Sequence, residues 1–111
     1  HVNMYRLQEE RVIGPRQLAN MVSALQYSKR FGPWFVEPVL AGIEQVKDAE
    51  GGATALKPFI CSMDSIGCIN FAEDFVVSGT ASEQLYGMCE ALWEPGLGPE
   101  ELFEVAGQCL L

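Results

Sequence analysis

In the stretch Lys57-Pro58-Phe59-Ile60-Cys61-Ser62-Met63-Asp64-Ser65-Ile66-Gly67-Cys68-Ile69, two apolar runs flank a polar turn at Asp64 and Ser65. Asp and Ser close turns by hydrogen-bonding to their own backbone, and glycine supplies the left-handed conformation that a loop of about three to five residues requires. The pattern predicts a β-hairpin with Asp64 at its tip, Gly67 in the return and Cys68 a few residues along the outgoing strand. Such a tip is either a solvated turn joining two core strands or a functional loop carried on a rigid support, and the residues alone leave both readings open.

Outward from the hairpin, Trp34 to Gly42 reads as a β-rich run, with Pro38 requiring a bulge or an unpaired edge because it has no ladder donor. Ile43 to Leu56 brings Glu44, Gln45, Lys47, Asp48, Glu50, Gly51 and Gly52 together without periodicity, which reads as an exposed loop. Phe75-Val76-Val77-Ser78 is expected to add a short strand after a bend at Glu73-Asp74, extending a meander.

Helices bracket these strands. Val2, Met4 and Tyr5 lie on one side of a first segment that looks like the tail of a longer helix and is stopped by Gly14. Pro15 suits the first position of the next helix, where Leu18, Met21, Val22 and Leu25 recur at helical spacing before Lys29-Arg30 and the break at Phe31-Gly32-Pro33. Thr80-Ala81-Ser82-Glu83 has the form of a capping box, followed by a stripe of Ala81, Leu85, Met88, Cys89 and Leu92. Pro99-Glu100-Glu101 opens a last helix whose expected buried face is Leu102, Phe103, Ala106, Cys109 and Leu110. The order of helices, strands and helices points to an α+β fold with helices on an antiparallel sheet. The head, His1-Val2-Asn3-Met4, and the apolar tail, Gly107 to Leu111, lead us to expect a piece of a longer protein.

The 111 residues, 49% of them hydrophobic, are enough for one cored domain. A net charge of −8 opposes binding to nucleic acid or to an anionic membrane, and no apolar run approaches the ~20 residues of a membrane span. Cys61, Cys68, Cys89 and Cys109 contain no CxxC pair, and the sole histidine is His1, so neither a metal site nor a cofactor is expected. An even cysteine count also fits two disulfides, but a chain able to build a core points to reduced thiols of an intracellular protein.

Nucleophilic catalysis of the serine or cysteine type lacks an internal histidine base. Gly51-Gly52 has no lysine and no strand-to-helix setting for a phosphate loop. The carboxylate pairs Glu9-Glu10, Glu73-Asp74 and Glu100-Glu101 sit at helix or turn ends, where solvation or the helix dipole accounts for them. Trp34, Phe35 and Trp93 read as core, with interface anchors as the alternative.

Several segments, in order, resemble the β-type subunits of the eukaryotic 20S proteasome: Arg30-Phe31-Gly32-Pro33, Glu37-Pro38-Val39-Leu40-Ala41-Gly42, Lys57 to Asp64, Ile66-Gly67-Cys68, Phe75-Val76-Val77-Ser78-Gly79-Thr80, and Glu83 to Pro95. The likeness runs from about Gly14 to Leu111. It implies an N-terminal-nucleophile hydrolase fold, a four-layer αββα sandwich. Residues 1–111 would then be the middle of a single domain, without the early strands and the closing strands and helix. Catalytic members use an N-terminal threonine whose own amine is the base. With His1 at position 1 and Thr54 and Thr80 internal, the resemblance implies a member without peptidase activity of its own, holding a place in a seven-membered β ring. The implied partners are the other α and β subunits of a cytoplasmic and nuclear particle that degrades ubiquitin-marked proteins. The tip would face the adjacent catalytic subunit, so Asp64 and Cys68 match positions lining the substrate pocket of the trypsin-like, beta type-2 neighbour. The Ile43 to Leu56 segment is longer than is usual for the type, as a tolerated surface insertion would be. The competing reading is an independent acidic interaction domain without enzymatic activity.

Overall fold

The computed structural model describes residues 1–9, 12–47 and 54–111. Along them run α1 (Val2–Glu9), α2 (Pro15–Ser28), β1 (Val39–Lys47), β2 (Thr54–Met63), β3 (Ile69–Ala72), α3 (Ser82–Leu92) and α4 (Pro99–Leu110). The strands form one antiparallel sheet in the order β1-β2-β3, with Leu40 opposite Cys61, Gly42 opposite Phe59, and Met63 opposite Ile69. The expected hairpin is therefore β2 and β3.

One face of the sheet carries α2, and the contact is made by small residues four apart on that helix. Pro15 lies so close over β1 that a Cβ on Gly42 would come within 2.9 Å of the Pro15 Cβ. One turn later Ala19, fully buried, packs with Phe59, Cys61 and Met63 of β2. A further turn on, the Ser23 hydroxyl donates to the Gly67 carbonyl oxygen at 2.6 Å. Leu18, Met21, Val22 and Leu25, the stripe picked out by hydropathy, are only half-buried, and of these Val22 alone packs against the core cluster. Close approach requires small side chains at the seam, so the larger apolar residues lie to its sides.

Four expectations are corrected. The segment from Ile43 to Leu56 is largely strand, since β1 continues to Lys47 and β2 begins at Thr54, leaving only 48–53 outside the described residues. The charges that suggested a loop are partly a cross-strand match, with Glu44 opposite Lys57. Conversely the strand expected from Trp34 begins only at Val39, past Pro38, whose carbonyl oxygen accepts from the Met63 N–H at 3.0 Å. Phe75–Ser78 joins no ladder; its Phe75 ring packs on Tyr86 and Trp93 instead, and Ser78 Oγ donates to the Glu37 carbonyl at 2.6 Å. The capping box does not form: α3 starts one residue later than expected with Ala81 as its N-cap, and the Ser82 N–H donates to the Gly79 carbonyl at 3.2 Å.

A fifth correction concerns α4. Of its expected buried face only Cys109 is buried, while Phe103 is 79% exposed and Leu110 76% exposed. The other sheet face is equally bare, because Val39, Ile43 and Leu56 are exposed apolar residues pointing away from α2. The accessible surface of 8608 Å² exceeds the roughly 6,000 Å² of a compact monomer of this mass. A radius of gyration of 16.4 Å, against about 13 Å for a compact chain of this length, agrees with that excess. Both faces of the sheet are apolar, and α2 covers one of them.

Candidate functional site

Asp64 builds the tip around itself. Its Oδ1 accepts from the Ile66 N–H at 3.0 Å and from the Cys68 N–H at 2.8 Å. The main chain closes the same loop, with Gly67 N–H donating to the Asp64 carbonyl at 3.2 Å and Asp64 N–H to the Cys68 carbonyl at 3.3 Å. One carboxylate oxygen thus holds two backbone donors of the turn, which is why an Asp rather than an apolar residue stands there. Gly67 has φ of 90°, in the left-handed region expected of it, and is buried against α2. A Cβ at Gly67 would run into the Ser23 carbonyl oxygen, with Ser23 C and Cα both at 3.2 Å.

Asp64 and Cys68 are both exposed; Asp64 is at the tip as expected, whereas Cys68 lies in the turn itself, one residue before β3 begins, and not along the outgoing strand. Sequence reasoning missed Ser23, whose hydroxyl and carbonyl wall the tip from behind; its spacing of four from Ala19 and eight from Pro15 was the available signal. Asp64 therefore has two roles to separate, a structural acceptor through Oδ1 and a negative charge at the surface.

The other thiols differ. Cys61 is buried in the sheet, and burial pushes its thiol up, against weaker lowering by a backbone hydrogen bond and Arg16. Cys89 and Cys109 bring α3 and α4 together, with Sγ to Sγ at 3.6 Å. Burial foremost, then the hydrogen bond to Cys109, pushes the Cys89 thiol up to about 11. Thiolate is the reactive form, so alkylation of Cys89 by a maleimide is expected to be slow at pH 7 and to rise about tenfold per pH unit until the pH nears that value. Rates measured by peptide mapping that level off below pH 9 would contradict it.

Two open clefts flank the α3–α4 pair. A cleft of about 860 Å³ runs between the sheet, at Lys57, Phe59 and Phe71, and Trp93 with Leu102. A second, about 330 Å³ and almost wholly apolar, is lined by Phe75, Val77, Leu85, Cys89, Leu102 and Cys109 among others. Beyond α2, Phe31 and Phe35 are each 95% exposed beside Lys29 and Arg30, with the Arg30 guanidinium 5.2 Å from the Phe31 ring centre. Among the described residues no cluster of three or more His, Cys, Asp or Glu could hold a metal ion, and no helix is long and apolar enough to cross a membrane.

The family model described as "Proteasome subunit" matches residues 1–111. The chain is 56% identical over 110 residues to a "Probable proteasome subunit beta type-3" of Schizosaccharomyces pombe, covering 99% of this chain and 50% of that protein. It is 54% identical over 109 residues to "Proteasome subunit beta type-3" of Saccharomyces cerevisiae, covering 98% of the chain and 49% of the relative. The Drosophila melanogaster protein of the same name is 48% identical over 109 residues, with the same coverages. The chain spans about half the length of the curated relatives it matches.

Proposed function

The chain belongs to the proteasome subunit family, whose fold is that of the N-terminal-nucleophile hydrolases, and from this premise we propose that it serves as a non-catalytic, beta type-3 kind of subunit within a β ring. Residues 1–111 are then part of one β-type domain. The observation that carries the proposal is the 54–56% identity to two relatives of that name along almost the whole chain. An independent acidic interaction domain is not favoured once the family is known. The bare apolar sheet face and the exposed Phe31 and Phe35 support assembly, since surfaces of that kind are covered in stable proteins, by further layers of the same fold or by neighbouring subunits.

For residues 1–111 themselves, residue chemistry supports the non-catalytic part of the proposal. Thr54 sits in the β2 ladder opposite Lys47, Thr80 lies in the turn before α3, and the chain offers His1 as its single imidazole. A threonine-directed covalent inhibitor added to the assembled particle should label neighbouring subunits and leave this chain unmodified; modification of this chain would refute the assignment.

We further propose that the tip shapes the substrate pocket of an adjacent catalytic subunit of beta type-2 kind, with Asp64 supplying negative charge and Cys68 lining the same pocket. A basic substrate side chain near Asp64 gains a charge-assisted hydrogen bond worth about 1.5–3 kcal/mol if sheltered, and less if wet. Because Oδ1 also holds the turn, Asp64→Asn is the informative change: it keeps the acceptor and removes the charge. Cleavage of peptides with a basic residue before the cut should fall about tenfold, matching ~1.4 kcal/mol, with neutral peptides unaffected. Cys68 should react with a thiol-reactive group carried on a peptide inhibitor of that neighbour, while Cys89 should not. An unchanged basic-to-neutral ratio with an unlabelled Cys68 returns the tip to a solvated turn.

A further inference from the structure

The tip and the family role leave the second pair of thiols without a use. Cys89 on α3 and Cys109 on α4 are 20 residues apart in sequence, yet their sulfurs are 3.6 Å apart in the structure. They meet because each is on the inward stripe of its helix in a helical hairpin whose turn, at Gly96, has φ of 79°. The ring of Phe75, packed on Tyr86 at 5.4 Å and on Trp93 at 6.2 Å, anchors the α3 side of that hairpin. A disulfide is about 2.05 Å long, so bond formation needs an approach of only ~1.5 Å from the observed separation. Cys89 is half-buried and Cys109 buried, and both residues line the apolar cleft, so Cys89 is the more accessible of the two.

We propose that Cys89 and Cys109 are an oxidisable dithiol, a modification site whose reactant is a small-molecule disulfide and whose product is an interhelical disulfide between α3 and α4. Cys89 loses its proton and its thiolate attacks one sulfur of the small disulfide, forming a mixed disulfide and expelling a thiolate that takes up the proton. Cys109 then loses its proton and attacks the Cys89 sulfur, expelling the second small thiolate, which is protonated in turn. The two protein thiols are oxidised by two electrons and the small disulfide is reduced to two thiols. Burial around Cys89 slows the first attack at neutral pH, so closure proceeds over hours, within the range known for disulfide exchange. The second step is intramolecular between sulfurs already in contact, so the mixed disulfide does not accumulate.

The experiment uses the full-length protein carrying this chain, in the complex from which it is isolated. It is incubated with oxidised glutathione, quenched, unfolded, alkylated at free thiols and mapped by mass spectrometry. The expected result is a linked peptide, two hydrogens lighter than its parts, joining Cys89 to Cys109 as the main form of both, with Cys61 remaining alkylated. In Cys109→Ser the reaction should stop at glutathione on Cys89. If that variant does not assemble, the time course of the unmutated protein decides, with joint loss of both thiols and no lasting mixed disulfide. Cys89 and Cys109 both recovered as alkylated thiols while Cys68 carries glutathione would overturn the proposal. So would a wild-type Cys89 that keeps glutathione beside a free Cys109.

Discussion

Replacing Gly67 with valine is expected to cost about 3–5 kcal/mol, summing strain at a left-handed backbone position and overpacking against a wall that cannot yield cheaply. The wall is backbone: the Ser23 carbonyl of α2 stands where the new Cβ would go, and the Ser23 hydroxyl donates to the Gly67 carbonyl. Gly79 supplies the control. Its φ of 109° is equally foreign to an L side chain, but a Cβ there meets nothing within 4 Å. Gly79→Ala should therefore cost only about 1–2 kcal/mol, the left-handed penalty alone. Gly67→Ala should cost distinctly more. Denaturant midpoints of the full-length protein measure both, and equal losses at the two glycines would mean that α2 gives way and the tip is not clamped.

A second large effect is expected at Phe59, which is 5% exposed under α2. Its ring meets Phe71 edge-on at 5.8 Å and lies 5.1 Å below the Arg16 guanidinium, which is itself paired with Glu44 Oε1 at 3.1 Å. Phe59→Ala removes the largest side chain of a small core and should destabilise by about 3–5 kcal/mol. Phe59→Leu retains most of the volume and should cost less than about 1.5 kcal/mol, with loss of the cation–ring contact included. The check is the shift in midpoint at unchanged denaturant slope. An alanine variant within 1 kcal/mol of the parent would show that this cluster does not support the sheet.

Local chemistry made much of this legible in the sequence. The hairpin tip followed from Asp64 and Gly67, and the starts of α2 and α4 from Pro15 and Pro99 at their first positions. The true length of β1 and β2 was hidden because Glu44 and Lys57 read as loop residues until the register sets them opposite each other. The face of α2 was misjudged because hydropathy ranks Leu and Met above Ala and Ser, while a tight helix-to-sheet contact selects for smallness. Phe75–Val77 has strand composition, yet whether such a run pairs depends on a free sheet edge, which composition does not record. Cys89 and Cys109 were each assigned an inward face, but their meeting depends on how two helices cross.

The tip that carries Asp64 and Cys68 is held three ways, by two backbone donors on one carboxylate oxygen, by the Ser23 hydroxyl, and by the absence of room behind Gly67. A loop so restrained has little freedom left to lose when a peptide is laid against it, so contacts there carry a small ordering penalty. In the pocket role proposed for it, the tip would act as a fixed jig rather than a yielding flap, selecting substrates by what fits beside it and leaving any adjustment to the peptide.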